Sequence, residues 1–374
     1  KYNLDGSIGW QKKLTFTNYI ELSTLKVDSS GNSYIGGTYG NSFSVQNYGY
    51  IAKIDSSGNV VWERTLTQTS TMSGGTSYQT CWSITVDSSG NIYTLLWYDY
   101  RYLTIIKYDS SGTVVWNKQY EEAATPTGRD VTPYSIANDS SGNIYTLGRR
   151  ESTTNNGAYL LCLIKYDSSG TILWQKMLST TIFQLQVLIW NVQIYIDSSN
   201  YIWIGTGSGS PTLIKLDSSG NVLSATQFGD YSSFAAVRAI TGDTAGNIYY
   251  IIYNSTNAGS FSITKLDSTL TRIWKHTLDY GVIPLQSICL TDKSYVVSNK
   301  LSIASLPKNG SKLGTYLLNG TNAIYSDLPS YTDTTPTLSP ANSTLTNITM
   351  PYFSSASFTS TVTTPTYSPS IVRF

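Results

Sequence analysis

Few residues of this sequence could do catalytic chemistry, and they form no recognised motif. His276 is the only histidine, so a histidine-based zinc site is excluded and a Ser-His-Asp triad has one candidate base. The segment IWKHTL around it predicts a surface position on an outer strand. Acids and arginines that could serve a lyase or a glycosidase occupy two segments, as Glu121, Glu122, Arg129, Asp130, Arg149, Arg150 and Glu151. We therefore predict no enzymatic activity and no cofactor.

Aspartates followed by Ser-Ser-Gly could instead bind a cation, and this tetrad recurs along the chain. A calcium loop supplies several carboxylates, one of them bidentate, whereas each of these loops has a single carboxylate. In a tight β-hairpin the same aspartate accepts a hydrogen bond from the backbone two residues on, and the glycine takes the positive φ that closes the turn. We predict hairpin turns with no metal, and a weak calcium site is the alternative.

Lysine, glycine and tryptophan recur at one spacing: Lys, four residues, Gly, three residues, Trp. The pattern is complete at Lys1/Gly6/Trp10, Lys53/Gly58/Trp62, Lys107/Gly112/Trp116 and Lys165/Gly170/Trp174. Three further copies are altered, with Ser224 for Trp after Lys215, Leu270 for Gly between Lys265 and Trp274, and Ser305 for Lys before Gly310. Alternating apolar residues flank each turn, which predicts a hairpin, here called the lysine hairpin.

A second hairpin alternates with the first and reads apolar-x-apolar-Asp-Ser-Ser-Gly-Asn-x-Tyr. We call it the Asp-Tyr hairpin, and its copies lie at Asp28–Tyr34, Asp87–Tyr93, Asp139–Tyr145, Asp197–Trp203 and Asp243–Tyr249, with shortened ones at Asp292–Tyr295 and Asp327–Tyr331. Seven copies of each hairpin thus alternate along the chain. The lysine hairpins recur at intervals of about 40 to 58 residues, a period typical of one propeller blade.

Two hairpins per period make a four-stranded antiparallel sheet, and seven such sheets make an all-β, seven-bladed β-propeller. The chain begins with a lysine hairpin (1–14), and its repeats end with an Asp-Tyr hairpin at 321–336. Each of these is half a blade and would leave an unpaired edge. We therefore predict that the N-terminal and C-terminal hairpins meet in one last blade and close the ring.

The repeat units SITVDSSGNIYTL and LTIIKYDSSGTVVW resemble those of the seven-bladed β-propeller repeat family of bacteria and their viruses. The resemblance covers about residues 1–335. It implies a propeller fold and says nearly nothing about function, because propellers serve as enzymes, lectins and scaffolds alike. We expect a propeller at 1–336 and a Ser/Thr/Pro-rich arm or tail at 337–374.

The recurring lysines and tryptophans are predicted to have structural roles. Each lysine, at Lys53, Lys107, Lys165, Lys215 and Lys265, can place its ammonium near an aspartate of a hairpin turn, which suggests a ring of Lys–Asp pairs. Each tryptophan, at Trp62, Trp116, Trp174 and Trp274, can fill the wedge between neighbouring blades. Sugar stacking by these tryptophans is the alternative.

The binding residues we single out belong to no repeat. Between two predicted strands lies a cluster of aromatic residues with an arginine, Trp97, Tyr98, Tyr100, Arg101 and Tyr102, and the pair Arg149 and Arg150 lies at the corresponding place one blade later. Aromatic residues with arginine are typical of protein interfaces and of glycan sites. A solvated loop with chance tyrosines is the alternative, since the chain has 30 tyrosines.

Composition restricts the partners. The net charge is +1, and 13% of the residues are charged, which gives no electrostatic case for nucleic acid or for an anionic membrane. No apolar run is long enough to insert into a membrane. The cysteines Cys81, Cys162 and Cys289 are too few for a disulfide framework and are expected to be buried thiols. Lys1 falls mid-strand in the repeat, so we expect the natural polypeptide to extend upstream.

The residues after 336 lack the repeat and are rich in Thr, Ser and Pro. They predict either a disordered tail or an arm that becomes ordered on a neighbouring subunit. We expect a structural or adhesion module on the surface of a virus particle, such as a phage tail or capsid, that contacts other virion proteins or a host glycan. A secreted, glycan-binding bacterial propeller is the main alternative, and a propeller-type lyase or glycosidase is a third.

Overall fold

A computed structural model of the chain describes residues 13–15, 19–40, 47–68, 79–98, 102–121, 131–151, 159–179, 192–207, 211–228, 235–254, 260–279, 287–290, 294–298, 303–307, 314–318, 321–327, 339–342, 346–348, 353–357, 361–363 and 371–373. All regular elements in these ranges are β-strands. The predicted all-β class is therefore confirmed.

After β1 (Lys13–Thr15), twenty strands form five repeat sheets of four consecutive antiparallel strands. Sheet 1 contains β2 (Tyr19–Val27), β3 (Ser33–Gly40), β4 (Asn47–Ile54) and β5 (Val60–Gln68). Sheet 2 contains β6 (Gln79–Val86), β7 (Ile92–Tyr98), β8 (Tyr102–Tyr108) and β9 (Val114–Glu121). Sheet 3 contains β10 (Val131–Asn138), β11 (Ile144–Glu151), β12 (Tyr159–Tyr166) and β13 (Ile172–Ser179).

Sheet 4 contains β14 (Gln193–Ile196), β15 (Ile202–Thr206), β16 (Thr212–Leu216) and β17 (Val222–Gln227). Sheet 5 contains β18 (Ala236–Gly242), β19 (Ile248–Asn254), β20 (Ser260–Leu266) and β21 (Arg272–Asp279). In every sheet the Asp-Tyr hairpin joins the first two strands and the lysine hairpin joins the last two. The four-stranded unit of a propeller repeat fold is thereby confirmed for these five periods.

Ten further strands follow: β22 (Ser287–Leu290), β23 (Ser294–Ser298), β24 (Ile303–Pro307), β25 (Gly314–Leu318), β26 (Thr321–Asp327), β27 (Ser339–Asn342), β28 (Thr346–Ile348), β29 (Phe353–Ser357), β30 (Thr361–Thr363) and β31 (Ile371–Arg373). β22, β23 and β24 form a sheet with β31. β25 and β26 extend sheet 5 beyond β21, and β27, β28 and β29 are fifth strands of sheets 3, 2 and 1. β30 pairs with β1.

The end of the repeat differs from the sequence prediction. The lysine hairpin predicted around Gly310 would pair β24 with β25, but these strands lie in different sheets. The Asp-Tyr hairpin predicted at 321–336 begins with β26, which pairs with β25 and with β21. By pairing with β21, β26 supplies hydrogen-bond partners to the backbone N–H and C=O groups along an edge that would otherwise be open. Residues 1–12 and 328–338 lie outside the described residues, so ring closure and the boundary at 336 stay predictions.

The chain packs as two compact units. One comprises Lys1–Ser179 with Ala341–Thr366 and contains sheets 1 to 3. The other comprises Thr180–Pro340 with Tyr367–Phe374 and contains sheets 4 and 5. In each unit the core lies between successive sheets. Residues of sheets 1 and 2 share one buried cluster around Tyr34, Trp62 and Tyr108, and residues of sheets 4 and 5 share another around Trp203 and Tyr250.

Each lysine-hairpin tryptophan of sheets 1 and 2 packs on a glycine of the next sheet. A Cβ added at Gly112 would come within 2.7 Å of the Trp62 ring, and one added at Gly170 within 3.2 Å of the Trp116 ring. Both glycines also have positive φ, of 79° and 82°. These turn positions therefore need glycine for two reasons, the backbone conformation and the space that the indole occupies.

The second unit reverses this combination of large and small residues. Ser224 stands at the tryptophan position of sheet 4, and Leu270 stands at the glycine position of sheet 5. Leu270 packs against the buried cluster shared by these two sheets, although its φ of 70° is costly for a branched side chain. We call the space between two successive sheets, beside the lysine-hairpin turns, the seam. We interpret the pair as a compensated exchange, in which Leu270 occupies the part of the seam that the smaller Ser224 leaves.

This exchange predicts strong coupling between the two positions. Ser224→Trp alone should destabilise the protein by about 1–3 kcal/mol, because the indole overlaps the Leu270 side chain. Ser224→Trp with Leu270→Gly should recover most of that loss, since the pair then matches Trp62 and Gly112. The measurement is a double-mutant cycle by chemical denaturation.

Asn200→Gly is the matched control, because it changes the other non-glycine residue with positive φ, 62°, in a different hairpin. Combined with Ser224→Trp it should give no rescue. Additive effects of Ser224→Trp and Leu270→Gly would show that the two side chains do not share the seam.

Candidate functional site

The Asp-Tyr turns use both oxygens of their aspartate. Asp87 Oδ1 accepts hydrogen bonds from the backbone N–H groups of Ser89 and Asn91, both at 2.9 Å. Its Oδ2 accepts from Asn91 Nδ2 at 2.8 Å and from the Tyr93 hydroxyl at 3.1 Å. The motif Asp-Ser-Ser-Gly-Asn-x-Tyr therefore describes one closed hydrogen-bond network, in which the tyrosine of the second strand reaches back to the turn.

The lysine-hairpin turns use their aspartate in a similar way. Asp167 Oδ1 accepts from the Ser169 backbone N–H at 2.9 Å and from the Ser169 hydroxyl at 2.6 Å, which confirms its predicted role in the turn. At Asp109 the hydrogen bond from the Ser111 hydroxyl, with that from the Thr113 backbone, holds the carboxyl pKa below its usual 3.8. Within the described ranges, no three His, Cys, Asp or Glu side chains cluster as a metal site requires.

Three of the lysines, Lys53, Lys107 and Lys215, bind a backbone carbonyl in the turn of the next sheet. Lys107 Nζ donates to the Ser168 carbonyl at 3.1 Å, and Lys215 Nζ donates to the Ser268 carbonyl at 3.1 Å. Each ammonium also lies over a ring of the neighbouring strand in its own sheet, as Lys107 does over Tyr93 at 5.2 Å. For Lys107 and Lys215 the observed partners are thus a carbonyl and a ring in place of the predicted aspartate. Lys165 does pair with an aspartate of a hairpin turn, with 3.7 Å between its Nζ and Asp139 Oδ2.

The tryptophans donate to the same carbonyls. The Ser110 carbonyl accepts from both Lys53 Nζ and Trp62 Nε1 at 3.3 Å. The Ser168 carbonyl accepts from both Lys107 Nζ and Trp116 Nε1 at 3.1 Å. We call this arrangement, in which one turn carbonyl receives the lysine and the tryptophan of the preceding sheet, the turn latch. The predicted packing of these two tryptophans between sheets is thus observed.

His276 is buried, whereas the sequence predicted a surface position for it. It is 4% exposed, and its ring stacks on Trp274 with the centroids 4.8 Å apart. β21 is not an open edge, because β26 pairs with it there and Asp327 is the register partner of His276.

Two cysteines follow the prediction: Cys81 and Cys162 are free and buried, and burial raises the pKa of the Cys81 thiol.

Trp97 has an aromatic partner that the sequence analysis missed. Trp82 and Trp97 meet edge to face, with their ring centroids 5.8 Å apart. Both side chains are half-buried. Trp82 lies at a β-bulge of β6, the first strand of sheet 2, and a bulge turns a side chain away from its normal direction. The alternation of β6 predicts a regular strand without this bulge, so the pairing could not be read from the sequence.

The other predicted binding residues are only partly described. Tyr98 and Tyr102 are register partners at the ends of β7 and β8, and Tyr100 and Arg101 lie outside the described residues. Arg149 donates from Nε to the Thr132 hydroxyl at 3.2 Å. Arg150 pairs in register with Val131 and Leu160. The strands thus place Trp97 and Arg149 at matching ends of sheets 2 and 3, the ends opposite the Asp-Ser-Ser-Gly turns.

A second surface feature repeats in all five sheets. The residue before the tryptophan position has no partner in its lysine hairpin, because the register shifts there. At each such bulge an apolar side chain is 50–54% exposed, namely Val61, Val115, Leu173, Leu223 and Ile273. Five equivalent bulges therefore present an apolar side chain to solvent beside each lysine-hairpin turn.

The latch predicts losses of different size for two lysines. Lys107→Met should lower the free energy of unfolding by about 1 kcal/mol, because a charge-assisted hydrogen bond and a cation–π contact are lost. Lys165→Met should cost about 3 kcal/mol, because it leaves the buried Asp139 carboxylate without its cation. Salt should change neither loss much, since the partners of Lys107 carry no net charge and the pair of Lys165 is buried.

Chemical denaturation of both variants from low to high salt makes this comparison. A loss for Lys107→Met as large as that for Lys165→Met, or one that falls steeply with salt, would contradict the assignment of Lys107 to a carbonyl. An unchanged free energy of unfolding for Lys107→Met would remove the structural role of the latch lysine.

No family model matches the sequence, and no curated protein matches it. Solved structures do resemble the chain. The Dos1 propeller is 12% identical with a TM-score of 0.45, over 77% of this chain and 68% of that one. Quinohemoprotein alcohol dehydrogenase from Comamonas testosteroni is 11% identical with a TM-score of 0.43, over 83% and 72%. A catalytically inactive virginiamycin B lyase from Staphylococcus aureus is 14% identical with a TM-score of 0.38, over 78% and 97%. None of these likenesses carries an inference about activity or ligand.

Proposed function

We propose that the protein is a non-enzymatic structural or adhesion propeller on the surface of a virus particle, and that it contacts other virion proteins or a host surface. The observation that carries the proposal is the half-buried, edge-to-face pair Trp82 and Trp97. Half-buried tryptophans offer a large apolar area at little conformational cost and are enriched at binding hot spots. Arg149, at the matching end of the next sheet, adds a donor of the type that such interfaces favour.

The proposed architecture is a closed ring of seven blades. The innermost strand β2 supports closure, because Leu22, Leu25 and Val27 are 50–62% exposed on it. In a closed ring the last blade would cover this apolar strand as sheet 2 covers β3 and β4. Class averages of the purified protein by electron microscopy should show seven sectors, and a different number would refute the ring as proposed.

Two further features support a role in assembly. The bulge residues repeat from sheet to sheet within each unit and expose apolar side chains that suit contact with a neighbouring protein. The strands after 336 are short and pair with existing sheet edges, and such strands can also pair with the same edge of a neighbouring subunit. Partners reached through residues 337–374 are therefore part of the proposal. No helix within the described residues has the length and apolarity to cross a membrane.

A secreted glycan-binding propeller is the second candidate, because an aromatic pair beside an arginine also suits a sugar face. Two measurements separate the candidates. Co-purification with virus particles favours the structural role, and binding to a defined sugar on a glycan array without particle association favours the secreted lectin. Turnover of a glycan would contradict both and favour an enzyme.

The proposed surface predicts which variants lose binding. Trp97→Ala and Trp82→Ala should each weaken binding to host cells or to the selected glycan at least tenfold, because each removes half of the aromatic pair. Surface plasmon resonance or a cell-binding assay measures the change, with the melting temperature as the test of folding.

Trp116→Phe is the matched control, since it changes a tryptophan of the seam and keeps an aromatic ring there. It should bind as the unchanged protein does. Full binding by a folded Trp97→Ala/Trp82→Ala double variant would show that the ligand contacts another part of the molecule.

A further inference from the structure

Arg238 lies at a β-bulge of β18, the first strand of sheet 5. The register with β19 shifts between Val237 and Ala239, so Arg238 has no register partner on that strand. Trp82 in β6 and Tyr134 in β10 occupy the same bulge position in sheets 2 and 3. In three sheets this position thus carries tryptophan, tyrosine or arginine, the residue types that are enriched at binding hot spots.

A second position lies across the hairpin from the bulge. It is the register partner of the residue two before the bulge, namely Tyr253 in sheet 5, Trp97 in sheet 2 and Arg149 in sheet 3. In sheet 2 the side chains of the two positions are in contact, as Trp82 and Trp97. In sheet 5 they are in contact too, with the Arg238 guanidinium carbon 5.2 Å from the centre of the Tyr253 ring. One backbone geometry therefore presents an aromatic pair in one sheet and an arginine on an aromatic ring in another.

The guanidinium of Arg238 lacks a counter-ion in the part of the chain that the structure describes. Its Nε is buried and has no hydrogen-bond partner there. Burial lowers the pKa of the guanidinium from its usual value, and no carboxylate of the described residues opposes that shift. Arginine nevertheless stays protonated in proteins, so this side chain keeps a positive charge that is partly removed from water.

Arg64 shows how the fold satisfies an arginine with a structural role. Its guanidinium carbon also lies over an aromatic ring, 5.5 Å from the centre of Trp62. Its Nε donates to the Gly112 carbonyl at 3.1 Å and its Nη1 to the Glu63 carbonyl at 2.8 Å. Arg238 has the ring without such acceptors among the described residues. An acceptor on a ligand would complete its hydrogen bonds.

The two side chains together indicate the chemistry of that ligand. A guanidinium is a planar fork of N–H donors, which matches the two oxygens of a carboxylate. Tyr253 adds apolar ring surface and is held in place by Phe261, with the ring centroids 5.1 Å apart. Arg238 and Tyr253 are both half-buried, so each keeps some surface open to a ligand. An acidic sugar carries a carboxylate and an apolar C–H face on one small ring, whereas an aspartate or glutamate side chain of a partner protein would use the guanidinium alone.

We propose that Arg238 and Tyr253 form a binding site for an acidic sugar, in which the guanidinium binds the sugar carboxylate and the tyrosine ring contacts the sugar C–H groups. The site gives a ligand class to the host contact proposed above, and it rests on that function only for the source of the sugar. Its residues are distinct from Trp82 and Trp97, so the two proposals can fail separately.

Nuclear magnetic resonance of the arginine Nε–H groups tests the site in the ¹⁵N-labelled full-length protein. Arg238→Lys removes one signal and thereby assigns it. The probes are sodium glucuronate, an acidic sugar, with glucose as its neutral counterpart and sodium acetate as a carboxylate without a sugar ring. Glucuronate should shift the Arg238 signal to saturation, acetate should do so only at higher concentration, and glucose should leave it unchanged.

Calorimetric titration of variants assigns the two contacts. Arg238→Gln should weaken glucuronate binding about tenfold or more, because a hydrogen-bonded charge is lost. Tyr253→Leu should weaken the binding of glucuronate and leave that of acetate unchanged. Arg64→Gln is the matched control, since it removes the same charge from an arginine whose donors are used within the fold. It should bind glucuronate as the unchanged protein does, and melting temperatures show whether each variant is folded.

The melting temperature without ligand adds a readout that a structural arginine would not give. Arg238→Gln should leave it unchanged or raise it, because the variant removes a partly buried charge that lacks a counter-ion. A marked fall in melting temperature, with glucuronate binding unchanged, would overturn the proposal and assign Arg238 to contacts within the chain. Absence of any shift of the Arg238 signal with glucuronate would overturn it as well.

Two further outcomes separate the ligand classes. Acetate binding as tight as that of glucuronate would overturn the sugar and favour a carboxylate side chain of a partner protein. Glucuronate binding that depends on Arg238, in a protein that does not associate with virus particles, would uphold this site and reject the virion role.

Discussion

The turn latch is the interaction on which the rest of the described structure depends. The carbonyl of the serine that follows the aspartate in a lysine-hairpin turn faces the preceding sheet, where it accepts from a lysine and, in the first unit, from a tryptophan. The aspartate shapes that turn, the glycine leaves room for the indole, and the lysine stem crosses an aromatic ring. Aspartate, glycine, lysine and tryptophan thus act together to join one sheet to the next. They do so through hydrogen bonds and packing, in a chain of which only 13% is charged.

A repeated latch explains why the turns are uniform while the opposite ends of the sheets vary. Each turn must fit the seam of the preceding sheet, so a change there requires a second change, as Ser224 and Leu270 illustrate. A bulge recurs in β2, β6, β10 and β18, and the residue there differs from sheet to sheet; in β6 it is Trp82, which meets Trp97. Variable residues on a rigid repeated frame are the usual place for binding, which is why the proposed contact surface lies at those ends.

The sequence predicted the repeat, both hairpins and the role of the aspartates, because each depends on local spacing that the chain itself displays. It did not predict the partner of Lys107, since a carbonyl of the next sheet has no signature in residue types. It placed His276 on the surface because the strand β26, which pairs beside it, comes from a segment assigned to another hairpin. Trp82 was missed because a bulge breaks the alternation from which side-chain direction is read.

The latch is tested most directly by hydrogen exchange of the indole N–H groups, followed by NMR on the ¹⁵N-labelled protein. Trp62 and Trp116 donate from Nε1 to turn carbonyls, so their indole protons should exchange far more slowly than that of a solvent-exposed tryptophan. Lys107→Met should speed the exchange at Trp116 and leave Trp62 unchanged. Exchange of both indole protons at the rate of a free indole would contradict the latch and the account of how these sheets are joined.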